Sequence, residues 1–199
     1  MALAACSPSS ASGPTRSPAS SVASPAAGTA SGPGADGSTG VSEPLAELKQ
    51  RPRYERAAAE YLAMLDEMRL ALTQITPSLH WSTPKSTTPG PSGCYPPFDE
   101  IEGAASGTFE SGTGSGSIPD ADWPRAVETL KAIAAKHRFT PVQTVVNTPG
   151  RHIVALKDSW GGSLELGTQT DTTLGLISGC FIQEHPVVYR PDPSTPSTT

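Results

Sequence analysis

Residues 142–177 read VQTVVNTPGRHIVALKDSWGGSLELGTQTDTTLGLI, and their dominant period is two. Segments 142–148 and 151–157 flank Pro149-Gly150, where proline presets φ for a turn and glycine accepts φ > 0. Leu164 and Leu166 alternate with Glu165 and Gly167, and Leu174 and Leu176 alternate likewise up to Ile177. Residues 158–162 and 169–171 supply the intervening turns. Strands joined this tightly pair antiparallel, because a parallel pair needs a crossover of a dozen residues or more.

Upstream of these strands the period changes to that of a helix. Over 53–76, Tyr54, Ala58, Tyr61, Leu65, Met68, Leu72 and Ile75 recur at spacings of four and three and form one apolar face. Arg56, Glu60, Glu67 and Gln74 fall off it, and Pro77 stops the helix. Pro52 separates it from a short helical turn capped by Ser42-Glu43-Pro44. A second helix is predicted over 122–138. Asp120 or Asp122 is its N-cap, Pro124 lies in its first turn, and Trp123, Val127, Leu130, Ala134 and His137 repeat the spacing. A weaker strand is placed at 104–110. The expected fold is α+β, a two-layer sandwich with two main helices on one face of a four- to five-stranded antiparallel sheet.

That domain spans 43–190 and holds every Trp, Tyr and Phe of the 199-residue chain. Before it, 32 of the 36 residues from 7 to 42 are Ser, Pro, Ala, Gly or Thr. Such a tract buries too little apolar area to offset its ordering entropy, so it reads as a disordered tether with a root-mean-square span of about 33 Å. Residues 191–199, PDPSTPSTT, read as a disordered tail. A net charge of −5 and a pI near 5.3 argue against a nucleic-acid partner, which needs a basic surface. No run of 18 apolar residues occurs.

The cysteines are Cys6, Cys94 and Cys180. Cys6 follows Leu3-Ala4-Ala5, the pattern of a lipobox, in which small side chains admit the signal peptidase and the thiol takes a diacylglyceryl group. Residues 1–6 are then the remnant of a lipoprotein signal. A signal peptide carries a charged segment and 7–15 apolar residues, so the complete leader is expected to start upstream of Met1. Cys94 and Cys180 remain as a pair. In an exported protein they most simply form a disulfide closing an 86-residue span, with free buried thiols or a catalytic cysteine as the alternatives.

The lipobox at Cys6, the long helix with Tyr61 and Met68, the Trp81 segment leading to Gly93-Cys94, the Trp123 helix and the closing Ser178-Gly179-Cys180 together resemble the LppA/LppB-type lipoproteins of mycobacteria and related actinobacteria. The resemblance covers about residues 53–183. It implies a surface lipoprotein with an α/β domain and no established activity, and it supplies no catalytic residues.

Other signals point away from chemistry. Gly112-Thr113-Gly114-Ser115-Gly116 lacks the lysine and the immediately following helix that a phosphate loop requires, and reads as a flexible loop. His80, His137, His152 and His185 read as surface or cap residues without metal-ligand spacing. Asp99, Glu100 and Glu102 read as a solvated turn. No G-x-S-x-G elbow occurs. Cys94 with His152 or His185 is the one nucleophile–base combination, and the disulfide opposes it.

Trp160 stands apart. It occupies a turn beside Gly161 and Gly162, between strands whose Val154, Leu156, Leu164 and Leu166 already face inward. No core position is evident for the indole, which makes it a contact candidate for a glycan, a lipid headgroup or a protein partner. Folding back onto the sheet edge is the other reading.

The expectation is a non-enzymatic, cofactor-free lipoprotein, anchored through Cys6 (bearing diacylglyceryl and palmitate chains) on the extracytoplasmic face of the cell membrane. It has a binding or accessory role toward an unknown envelope ligand or protein. An extracytoplasmic Cys/His enzyme and a structural or adhesion module are the alternatives.

Overall fold

The computed structural model describes residues 39–186. Cys6, the tether up to residue 38 and the tail 191–199 lie outside the described residues. Helix α1 (Thr39–Gln50) is followed by α2 (Tyr54–Ile75), and α3 is Trp123–Ala135. The strands are β1 (His80–Trp81), β2 (Pro91–Ser92), β3 (Ala104–Ser115), β4 (Phe139–Thr148), β5 (Arg151–Asp158), β6 (Ser163–Thr168), β7 (Thr172–Ile177) and β8 (Phe181–Ile182).

The described fold is α+β with an open, fully antiparallel sheet, larger than the sequence suggested. Its order is β1-β3-β7-β6-β5-β4, with β2 and β8 also paired to β3. The run β4 to β7 is the predicted meander, and its first turn places Gly150 at φ 73°. Val154, Leu156, Leu164, Leu166, Leu174 and Leu176 are all buried, as their alternation requires. They meet the face of α2 that carries Tyr61, Leu65, Met68 and Leu72, and the face of α3 that carries Trp123 and Leu130. Tyr61 sits at the middle of this core, edge-on to Phe109, Phe139 and Phe181 at centroid distances of 5.6, 5.9 and 6.2 Å.

Three expectations need correction. The four- to five-stranded sheet has eight strands, because β3 is a full 12-residue strand and nucleates three two-residue pairings along its length. Strand β3 also absorbs 112–115, so that the glycine-rich segment is sheet rather than a loop. It bends at a bulge between Glu110 and Thr113, where Gly112 has φ 71°. Finally, α1 begins at Thr39 with Pro44 inside it, so the boundary at residue 42 falls within a helix and the short turn is a 12-residue element.

Candidate functional site

The turn between β5 and β6 is built on one buried carboxylate. Oδ1 of Asp158 accepts the backbone N–H groups of Trp160 (2.9 Å) and Gly162 (2.6 Å), and its Oδ2 accepts the Tyr61 hydroxyl at 2.9 Å. Burial first, and the facing Asp158 charge second, push the Tyr61 phenol well above its ordinary pKa, so it stays a donor. Gly161 at φ 87° completes the turn. The backbone around Trp160 is therefore held by groups reaching it from the core.

A second clamp comes from the end of α1. Arg51, whose side chain is 5% exposed, donates from one terminal nitrogen to the carbonyl oxygens of Trp160 (3.1 Å) and Cys180 (2.8 Å). Its other terminal nitrogen pairs with Glu47, and its guanidinium lies 5.0 Å from the Phe98 ring centroid. Its buried Nε has no hydrogen-bond partner among the described residues. Cys180 is bonded to Cys94 with Cα atoms 5.9 Å apart, which fastens the 78–103 connection to the same corner.

Trp160 itself is half-buried. One edge meets Phe181 at 5.3 Å and 90°, and the Arg138 guanidinium lies over the ring, 3.8 Å from its centroid. Arg138 follows α3 at φ 69°, a left-handed conformation that is uncommon for a non-glycine residue and turns the chain into β4. The idea that the turn has no core neighbour is thus corrected: Phe181 in β8 receives the indole edge. Around it lies a shallow cleft of about 360 Å³ lined by Arg51, Pro52, Arg56, Glu60, Arg138 and Trp160. Glu60 accepts from Arg56 Nε at 3.2 Å and lies 3.9 Å from Arg138.

Other candidates fall elsewhere. With its sulfur in the disulfide, Cys94 offers no thiol to His152 or His185. His152 is buried rather than exposed, stacks on Trp123 at 4.9 Å, donates from Nε2 to Asp120 (2.9 Å) and has Nδ1 2.8 Å from the Asn147 side-chain oxygen. The hydrogen bond from His152, and next that from the Gly150 N–H, hold the Asp120 carboxyl below its ordinary pKa. A carboxylate so lowered stabilises the fold above its unfolded pKa and loses that contribution as pH falls through the lowered value. Asp120→Asn should therefore melt below wild type near neutral pH. The gap should close as pH drops below about 4; a gap constant across that range would refute the linkage.

No sequence signal paired Arg51 or Arg138 with Trp160. The two arginines lie in separate connections, and only the Trp160 turn was readable as unusual.

The sequence model of the LppA family, described as a lipoprotein confined to pathogenic Mycobacterium, matches residues 33–184. Among solved structures, the chain is similar to LppA of Mycobacterium tuberculosis at 14% identity and a TM-score of 0.51, covering 75% of this chain and 92% of that one. A DUF4853 family protein from Actinomyces odontolyticus is 15% identical at a TM-score of 0.47, over 70% and 74% of the two chains. No curated protein matches.

Proposed function

The chain belongs to the LppA family, and from that premise we propose that it is a lipid-anchored, extracytoplasmic binding protein of the cell envelope, without catalytic activity of its own. The observation that carries this reading is Cys6, directly after Leu3-Ala4-Ala5 and directly before the Ser/Pro/Ala/Gly tract. A thiol at that position takes a diacylglyceryl group, and two acyl chains give stable attachment where one is marginal. The tract from residue 7 onward then serves as the leash. The domain beyond it is closed by a disulfide, which suits a compartment without cytosolic reductant. The Trp160 cleft is the contact surface, since it puts a half-buried indole and several charged side chains at one accessible place.

Fractionation tests the anchor. Expressed behind a lipoprotein signal sequence fused ahead of Leu3, the wild-type protein should sit in the membrane fraction. Cys6→Ala should lower its membrane-to-soluble ratio by at least about tenfold. Equal retention of the variant would defeat the anchor and with it the proposed location.

A further inference from the structure

The lining of the Trp160 cleft carries three guanidinium groups, of Arg51, Arg56 and Arg138, against the single carboxylate of Glu60. The lining is thus positive by two charges, and by one once Glu47, paired with Arg51 beside it, is counted, in a chain whose net charge is −5. We propose that it is a binding site for a phosphate monoester, with the group that bears the phosphate lying against Trp160. This rests on the reading of the protein as an envelope binding module and names the chemistry of what is bound.

Three observations support phosphate. The first is that donors are left over. Among the described residues the Arg138 side chain makes no hydrogen bond: its nearest carboxylate oxygen, on Glu60, is 3.9 Å away. Arg56 commits only Nε to Glu60 and is three-quarters exposed. Arg51 spends its terminal nitrogens on Glu47 and two carbonyls and buries Nε, so it contributes positive charge and no free donor. A planar guanidinium pairs with phosphate oxygens two at a time, so the unused N–H groups of Arg138 and Arg56 suit several oxygens on one centre.

The second observation is preorganisation. Arg138 is stacked on the indole at 3.8 Å, and Arg51 is locked by two carbonyls and the Phe98 ring, so neither must be ordered on binding. The third is charge and size together. A phosphate monoester carries about −1.5 to −2 at neutral pH, opposite in sign to the lining. A cleft of about 360 Å³ holds a phosphate and one adjoining ring or glycerol unit, not a whole lipid.

The monoester has two possible sources, a sugar phosphate or a phosphatidate headgroup. The test uses the full chain with Cys6→Ala, so that vesicle association cannot come from the anchor. Its Trp160 indole N–H resonance, assigned through Trp160→Phe, is followed with three probes. These are inorganic phosphate, glucose 6-phosphate, and phosphatidylcholine vesicles with and without phosphatidate. Saturable shifts with inorganic phosphate are expected, at least about tenfold weaker in Arg138→Ala and in the exposed Arg56→Ala, which folds whatever Arg138 does for stability. A tighter response to glucose 6-phosphate assigns the site to sugar phosphates; binding to phosphatidate vesicles but not to phosphatidylcholine alone assigns it to lipid. No saturable shift with any probe, or shifts unchanged in both arginine variants, overturns the phosphate site. Either result leaves the anchor to be judged by fractionation alone.

Discussion

Alanine at position 179 should destabilise this domain by about 3 kcal/mol, although it adds a single carbon. A Cβ there would stand 1.8 Å from the carbonyl oxygen of Trp160 and 2.6 Å from its carbonyl carbon. Backbone atoms cannot rotate away as a side chain does. This carbonyl is also held by Arg51, while the N–H of the same residue is held by Asp158. Relief therefore requires moving the Trp160 turn, the Arg51 clamp or the strand that follows Cys180. The requirement is for close approach and not for a left-handed backbone, since Gly179 shows no positive φ. Urea denaturation measures it, with Gly93→Ala as the control: a Cβ at Gly93 meets nothing within 4 Å, so its effect should stay within about 0.5 kcal/mol. Equal midpoints for the two variants would show that the turn is softer than its hydrogen bonds imply.

Removing the disulfide should cost more. The bond links positions 86 apart, and the chain-entropy model gives about 4.5 kcal/mol for a loop of that length. Cys94→Ser with Cys180→Ser should lower Tm by roughly 10 °C for a domain of this size. The loss should be concentrated in one place. Cys180 packs with Leu48 and Ile101 in a small cluster apart from the main core, joined by Phe98 and Ile182. That cluster holds α1 and the 78–103 connection to the sheet. Amide exchange in the double variant should accelerate there first and leave α2 and β5 protected. A Tm within about 2 °C of wild type would mean that the small cluster holds the corner without the bond.

The helices and the meander were legible because each carries its own repeat. The α2 positions at spacings of four and three are the ones that bury Tyr61, Leu65, Met68 and Leu72, and the paired leucines of β6 and β7 are 3% exposed or less. The disulfide was legible from compartment and count. Strand β3 was legible only over its first half, 104–110, since AASGTFESGTGS has one large apolar side chain. Its small residues answer to α2: a Cβ at Gly107 would meet the Tyr54 hydroxyl at 2.5 Å, and Ser111 is fully buried beside Ser86. The half of a central strand chosen for lack of bulk, 111–115, looks like a loop until the helix above it is known.

Readable without the structure were the α+β class, two of the three described helices, the turns of the meander, a disulfide as the simplest state of Cys94 and Cys180, and the oddity of Trp160. Each of these follows from local periodicity, turn chemistry or arithmetic on a rare residue. The surroundings of Trp160 depend on long-range packing. Arg51 lies 109 positions from it, Asp158 is tied to Tyr61 across 97, and Arg138 reaches the ring from beyond α3. Charged side chains on connections have no repeat to betray them, and their partners are set by where the sheet and helices bring the chain together, which no local pattern encodes.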